Sequence, residues 1–169
     1  NPEQQTSMHC HTEKTTGLVV LDGEILLSFI SDNILLKKGQ KRMIRRGLFH
    51  SSKNVSSNKS IMLEIETPKN KTDLVRLHDS YGRELTSYES SYIEDSSLPW
   101  IDSPNEKTNS YKFEYASCTF EVNTITNVSQ ILDMSDEKLI IFLNGGIVTK
   151  HNQNVIIPGD VGFLNIVKK

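Results

Sequence analysis

The apolar residues of this chain fall into short runs separated by turn residues, and this spacing limits the folds open to it. The runs at residues 18–21 and 25–27 flank Asp22-Gly23, a pair typical of a tight turn between β-strands. The runs show no helical periodicity. Many short strands joined by glycine turns favour an antiparallel barrel or sandwich. We therefore predict an all-β protein, with a hairpin at Asp22-Gly23.

The same pattern predicts further strands in the first half of the chain. Residues 33–36 and 42–44 form two more short apolar runs, and His50 enters the strand that follows. Residues 61–66 predict a strand with apolar and acidic side chains alternating at 63–66, and this strand is expected to end at Pro68, which lacks the N–H that a ladder needs.

Three histidines are the strongest candidates for a metal site. His9 and His11 are two residues apart, so on a β-strand both imidazoles project from one face. His50 follows the turn glycine Gly47. Three neutral imidazoles suit a divalent metal, with zinc the first choice and iron, manganese or nickel as alternatives, and they leave positions open for water or substrate. The other interpretation is that they are polar strand residues that bind no metal.

These positions resemble the paired motifs of the cupin superfamily. The second motif matches at four positions, with arginine in place of its proline: Gly39, Gly47, His50 and Asn54. In the first motif His9, His11 and Gly23 match, whereas Thr16 stands where that motif has an acidic ligand. The resemblance implies a metal-binding jelly roll, and Glu13 is a candidate substitute for the missing carboxylate. A site without a carboxylate is more positive, which favours an anionic ligand.

A narrower resemblance, covering about residues 7–84, is to the isomerase domain of type II phosphomannose isomerases. The matching positions follow the strand that holds Glu64 and Glu66, and they are Asp73, Val75, Arg76, Asp79, Tyr81, Gly82 and Arg83. The resemblance assigns Arg83 to the sugar-phosphate site, and a guanidinium does present a planar fork of donors to phosphate oxygens. The alternative is a structural arginine that pairs with a nearby aspartate.

Positive charge near the predicted site adds substrate-binding candidates. Lys14 and Arg76 join Arg83 in this role, and Arg45 and Arg46 would lie near the mouth of the barrel. The alternative for Lys14 and the two neighbouring arginines is that they are solvated loop residues.

The resemblance implies a metal-dependent enzyme that isomerises or epimerises a phosphorylated or nucleotide-linked sugar in surface-polysaccharide or sugar-nucleotide biosynthesis. The catalytic candidates are Arg83 with Glu64 or Glu66, and Glu13 is a further candidate base. Two alternatives belong to other classes. One is a non-catalytic sugar- or anion-binding or dimerisation module of a larger biosynthetic enzyme, and the other is an iron-dependent dioxygenase. Whether the protein is an enzyme therefore stays open at this point.

The second half of the chain repeats the order of the first in degenerate form. Leu143-Asn144-Gly145 aligns with Leu21-Asp22-Gly23, and residues 156–159 align with residues 35–39 with one residue fewer. We predict a cupin half at 1–84, a polar connecting segment at 85–109 and a second, degenerate cupin-like half at 110–169. The second half has no His-x-His, so any metal belongs to the first.

Composition narrows the partners. The formal net charge is −2 and no long basic run occurs, which makes nucleic acid an unexpected partner. No apolar run approaches the ~20 residues of a membrane span, and two cysteines make no disulfide framework. We therefore expect a cytoplasmic protein without a membrane partner, with exposed edge strands that favour a homodimer. Because the chain begins at Asn1 rather than Met, we expect it to be part of a longer protein.

Overall fold

A computed structural model describes residues 1–68, 70, 72–78 and 110–169. The chain divides into two compact units, Asn1–Tyr92 and Ile93–Lys169. The division at 84 and 109 stays a prediction, since residues 85–109 lie outside the described residues. No helix in the described ranges is long and apolar enough to cross a membrane.

The described part of the first unit consists of two antiparallel sheets. One has the order β4-β3-β6-β1-β8 and the other the order β5-β2-β7. The predicted all-β, antiparallel jelly roll is therefore confirmed. The strands are β1 Met8–Cys10, β2 Thr15–Asp22, β3 Glu24–Phe29, β4 Asn33–Lys37, β5 Lys41–Ile44, β6 His50–Asn54, β7 Ile61–Thr67 and β8 Val75–His78.

Strand β2 is the central strand of its sheet, and its inward face changes character along its length. Leu18 and Val20 are fully buried in the apolar core. Thr16 lies on the same face, because side chains alternate along a strand, and it is also buried. Each fully buried aliphatic side chain contributes roughly 1.5–3 kcal/mol of hydrophobic stabilisation. One end of β2 thus belongs to the core and the other to a polar centre. The buried core residues are Leu18, Val20, Ile25, Leu27, Leu36 and Ile44.

The turn at Asp22-Gly23 exists, but the predicted hairpin is wrong. Strand β2 pairs with β5 and β7, whereas β3 pairs with β4 and β6. The turn therefore carries the chain from one sheet to the other, so that the apolar faces of β2 and β3 pack across the core. Gly23 has a φ of 76°, and a Cβ there would collide with Oγ of Ser60. Only glycine fits this turn without strain.

The described part of the second unit consists of three two-stranded antiparallel ladders and two short helices. Strands β9 and β10 form a hairpin, β11 pairs with β14, and β12 pairs with β13. The two helices were not predicted. The elements are β9 Ser110–Tyr115, β10 Cys118–Asn123, α1 Val128–Leu132, β11 Leu139–Ile141, β12 Ile147–Val148, β13 Asn154–Ile156, β14 Val161–Phe163 and α2 Leu164–Val167.

The strands β11 to β14 of the second unit pair in the same order as the strands β2 to β5 of the first. The β11–β14 ladder matches the β2–β5 ladder, and the β12–β13 ladder matches the β3–β4 ladder. In the first unit the N–H of Gly39 donates to the carbonyl of Val20 (2.8 Å), and in the second the N–H of Gly159 donates to that of Phe142 (2.6 Å). Counted back from the turn glycines, Val20 and Phe142 occupy the same position.

Candidate metal centre

Strands β1 and β6 are neighbours in the five-stranded sheet, and their pairing brings the predicted histidines together. His9 and His50 are direct partners across the two strands, so their side chains share a face. His11 follows two residues after His9, just past the end of β1. One ring nitrogen from each histidine lies within 4.8 Å of the others, and all three residues are buried.

Each imidazole is oriented by a hydrogen bond from Nδ1 to a backbone carbonyl. The acceptors are Ser7 for His9 (2.8 Å), Asp73 for His11 (2.5 Å) and Leu48 for His50 (2.9 Å). Because a carbonyl oxygen only accepts, each Nδ1 carries the proton and donates. In a neutral ring the Nε2 lone pair is then available to bind a metal, which is the arrangement found around metal-binding histidines.

Burial keeps two of the rings neutral. Removal from water lowers the pKa of His9 to about 4, with further lowering from the neighbouring His50 and His11. Burial likewise lowers the pKa of His50. Burial alone would also lower the pKa of His11, but the Glu66 carboxylate and the Asp73 carbonyl outweigh it and the pKa is raised. A metal would therefore compete with a proton at His11 more than at the other two histidines.

A carboxylate and a buried lysine border the histidines. One carboxylate oxygen of Glu66, Oε1, lies 2.8 Å from Nε2 of His11, and the other, Oε2, accepts a hydrogen bond from Nζ of Lys14 at 2.7 Å. Lys14 is only 2% exposed. Burial alone would raise the pKa of Glu66, but the neighbouring His11 and Lys14 outweigh it and lower this pKa to about 2. Glu66 is therefore an ionised carboxylate at neutral pH.

Asp73 holds the loop between β1 and β2. Its carboxylate accepts hydrogen bonds from the N–H groups of Thr12, Glu13 and Lys14 and from the Thr12 hydroxyl, at 2.8 to 2.9 Å. Burial alone would raise the pKa of Asp73, but these donors lower it to about 2. One residue thus fixes the loop with its side chain and orients His11 with its carbonyl.

The residues fit a divalent metal. Nε2 of His50 is buried and has no hydrogen-bond partner within the described part of the chain. A buried polar nitrogen without a partner costs free energy, and a bound cation would satisfy it. Neutral imidazole nitrogens near a carboxylate form a donor set that zinc, iron and manganese accept.

The structure places the other predicted site residues at different distances from this centre. Glu13 is exposed, and its carboxylate accepts a hydrogen bond from Nδ2 of Asn70 (2.7 Å). Among the described residues, neither Glu13 nor Glu66 belongs to the group whose ligand atoms all lie within 4.8 Å of one another. Glu64 is exposed on β7, two residues before Glu66. Arg76 is half-buried on β8 as the cross-strand partner of His9. Arg83 lies outside the described residues.

Two features of the centre were not predicted. Lys14 is buried against Glu66, although the sequence suggested either a substrate-binding residue or a solvated loop residue at this position. Arg45 and Arg46, for which the same alternatives were open, are exposed. The double role of Asp73 depends on its backbone carbonyl, for which a sequence holds no signal. A signal for Glu66 does exist, because the alternation of β7 places an acidic residue on the face that meets Thr16.

The first unit thus combines an antiparallel jelly roll with a cluster of three histidines, His9 on β1, His11 just past its end and His50 at the start of β6. Solved structures of cupin proteins are similar to part of this chain. One is a sugar phosphate isomerase of the cupin superfamily from Silicibacter pomeroyi, with 18% identity, a TM-score of 0.39, and coverage of 41% of this chain and 46% of that one.

Two other solved structures show a similar extent of likeness. An oxalate oxidase in complex with glycolate is 23% identical with a TM-score of 0.41, over 45% of this chain and 41% of that one. A double-stranded β-helix protein from Klebsiella pneumoniae is 20% identical with a TM-score of 0.43, over 47% and 65%. The chain thus covers less than two thirds of each of these structures, and likeness at this level carries no functional argument. No protein-family model and no curated protein matches the chain.

Proposed function

We propose that the first unit is a divalent-metal-binding cupin domain that acts on a phosphorylated or nucleotide-linked sugar, by isomerisation or epimerisation. One observation carries the metal-binding part, namely three buried imidazoles that converge with every Nδ1 anchored on a carbonyl. Zinc is the first choice, and iron, manganese and nickel suit the same donors. A cytoplasmic location and a homodimer complete the proposal.

The sugar-phosphate part of the proposal rests on the residues around the histidines. A bound divalent ion would supply Lewis acidity for a carbonyl and its adjacent hydroxyl. Arg76, the cross-strand partner of His9, would bind the anionic group of the substrate together with Arg83. Glu64, exposed on the same strand as Glu66, would carry the proton between the two carbons.

A second candidate function is a binding module without catalysis, and the state of Glu66 favours it. Lys14 and His11 hold this carboxylate and its pKa is about 2, so Glu66 is a weak proton acceptor. The proposed catalysis therefore depends on Glu64 as the base. If Glu64 has no catalytic role, the centre is left with ligand-binding groups alone.

Metal analysis followed by a turnover assay tests the proposal. The protein is purified without added metal, its zinc, iron, manganese and nickel are measured, and hexose phosphates are followed by NMR. One equivalent of metal with isomerisation that Glu64→Gln abolishes supports the enzyme. Metal with sugar-phosphate binding and no turnover supports the binding module. Iron with oxygen uptake would point to an oxygenase, and a protein that takes up no metal would contradict the proposal.

A further inference from the structure

Glu66 lies directly across from the position that lacks its expected carboxylate. Thr16 of β2 and Glu66 of β7 are cross-strand partners, and both side chains face the polar end of the barrel. Cβ atoms of such partners are about 4.5–5.5 Å apart. The glutamate on β7 can therefore bring its carboxylate to the region that an acidic side chain at position 16 of β2 would reach.

The carboxylate of Glu66 makes a close contact with the imidazole of His11. Nε2 of His11 and Oε1 of Glu66 are 2.8 Å apart, yet both atoms are buried without a hydrogen-bond partner among the residues that the structure describes. With Nδ1 donating to Asp73, a neutral His11 directs a lone pair toward the carboxylate. A shared cation would remove this repulsion. Two adjacent ligand atoms, each at about 2.1 Å from a metal, are themselves about 3 Å apart when they subtend a right angle.

Lys14 determines which oxygen of Glu66 is left for a metal. Its buried Nζ lies 2.7 Å from Oε2, so that oxygen already has a cationic partner, and Oε1 is the one directed at His11. A buried lysine is stable only when it is paired with an anion, and the same pair orients the carboxylate.

We propose, on the basis of the metal-binding function above, that Glu66 is a fourth protein ligand of the metal, binding through Oε1 while Lys14 holds Oε2. Strand β7 would thus supply the carboxylate that β2 lacks at Thr16. The centre would have three imidazoles and one monodentate carboxylate as ligands. The alternative is a metal-free ion pair, in which His11 is protonated and the imidazolium binds the Glu66 carboxylate.

Exchange of the two cross-strand residues tests the proposal. We expect Glu66→Gln to weaken the binding of Zn²⁺ and Co²⁺ by about 10–100-fold and to change the visible absorption spectrum of the Co²⁺-loaded protein. The double variant T16E/E66T returns a carboxylate from the facing strand, and it should recover most of the affinity. The control is Glu24→Gln, which breaks an exposed Glu–Lys pair of 3.3 Å to Lys37 and should change neither quantity.

A measurement on the wild-type chain removes any dependence on whether the variants fold. Protein carrying glutamate labelled with ¹³C at the side-chain carboxyl is loaded with Mn²⁺ and studied by electron–nuclear double resonance. A ¹³C coupling of directly bound carboxylate is expected, and Glu66→Gln should abolish it wherever that variant folds. Absence of the coupling in metal-loaded wild-type protein would overturn the proposal for Glu66 and leave the three-histidine site intact. Failure of the wild-type protein to bind any metal would instead contradict the proposed function.

Discussion

The block β2 to β5 of the first unit and the block β11 to β14 of the second have the same hydrogen-bonded frame, but among the described residues only the first adjoins a histidine centre. In the first, Val20 N–H donates to the Gln40 carbonyl, and in the second Phe142 N–H donates to that of Asp160. The side chains of Gln40 and Asp160 both accept a hydrogen bond from the backbone N–H three residues earlier, at 2.8 and 2.9 Å. The frame is therefore a structural device that does not depend on a metal.

The difference lies in the strands that flank each block. In the first unit β1, β6 and β7 deliver His9, His50 and Glu66 to the polar end of β2. Counted back from the turn glycine of the second block, Ile131 and Asp133 occupy the positions of His9 and His11. They belong to helix α1 and its C-cap instead of a strand. The comparison teaches that the site depends on flanking strands added to a common frame.

Removal of one ligand should produce the largest effect. We expect His50→Ala to weaken metal binding by more than about 100-fold, because alanine leaves no ligand atom in place of the imidazole, whereas Glu66→Gln keeps an amide oxygen there and should cost less. The fold should persist at a modest cost in stability, because the variant loses one hydrogen bond, from Nδ1 of His50 to the Leu48 carbonyl. Elemental analysis and Zn²⁺ titration measure the effect. His151→Ala, an exposed histidine of the second block, is the control. Equal metal content in both variants would show that the histidine centre is not the binding site.

Asp73 and Glu121 contact the segments just before β2 and β11, and their carboxylates should differ in their contribution to stability. Asp73→Ala leaves the N–H groups of Thr12, Glu13 and Lys14 without their acceptor, and we expect a loss of about 3 kcal/mol or more. Glu121→Ala removes an exposed pair with Lys138, which we expect to cost at most about 1 kcal/mol. Denaturant unfolding of the two variants gives both values. Similar losses would mean that Asp73 does not hold the loop.

The contribution of Asp73 also predicts a pH dependence. Its pKa is about 2 in the folded protein against an ordinary value of 3.8. A lowered pKa means that the stabilisation is present above the ordinary value and is lost as the pH falls through the folded value. The difference in unfolding free energy between wild type and Asp73→Ala should therefore shrink between about pH 4 and pH 2. A difference that stays constant across this range would contradict the ionised, hydrogen-bonded carboxylate.

Replacement of the turn glycines Gly23 and Gly145 should give the smallest difference in stability between the two blocks. Gly23 and Gly145 have φ values of 76° and 67°, but only a Cβ at Gly23 would collide, with Oγ of Ser60. Alanine at either position costs roughly 1–2 kcal/mol for the left-handed conformation, and the collision adds to this cost at Gly23. Thermal unfolding should thus rank Gly23→Ala below Gly145→Ala. The reverse order would indicate that the Ser60 contact relaxes freely.

The histidine centre was predictable because its information is local. His9 and His11 share a face through the strand period, and the glycine turn before His50 places that residue at the start of a strand. The matching order of the ladders in the two blocks also has a local signal, because their turns carry glycine at corresponding positions. The helix α1 had a readable signal in Asn127 and Gln130, which form a capping box, but the β-rich surroundings concealed it.

Other features depend on strand register, which a single sequence does not specify. The pairing of Thr16 with Glu66 joins residues that are distant in the chain, so the carboxylate next to His11 was interpreted only as a candidate base. Asp22-Gly23 has the composition of a hairpin turn, yet the two adjoining strands pair with other neighbours and lie in different sheets. The pairing of Lys14 with Glu66 depends on the register between β2 and β7, because Glu66 lies on β7.

The central claim is that one divalent cation is bound between His9, His11 and His50. The most direct measurement is anomalous diffraction from crystals of the protein soaked in Mn²⁺ or Zn²⁺. We predict one strong anomalous peak at about 2.0–2.3 Å from Nε2 of all three histidines. A map without a peak at this position, from protein with an intact histidine cluster, would contradict the claim.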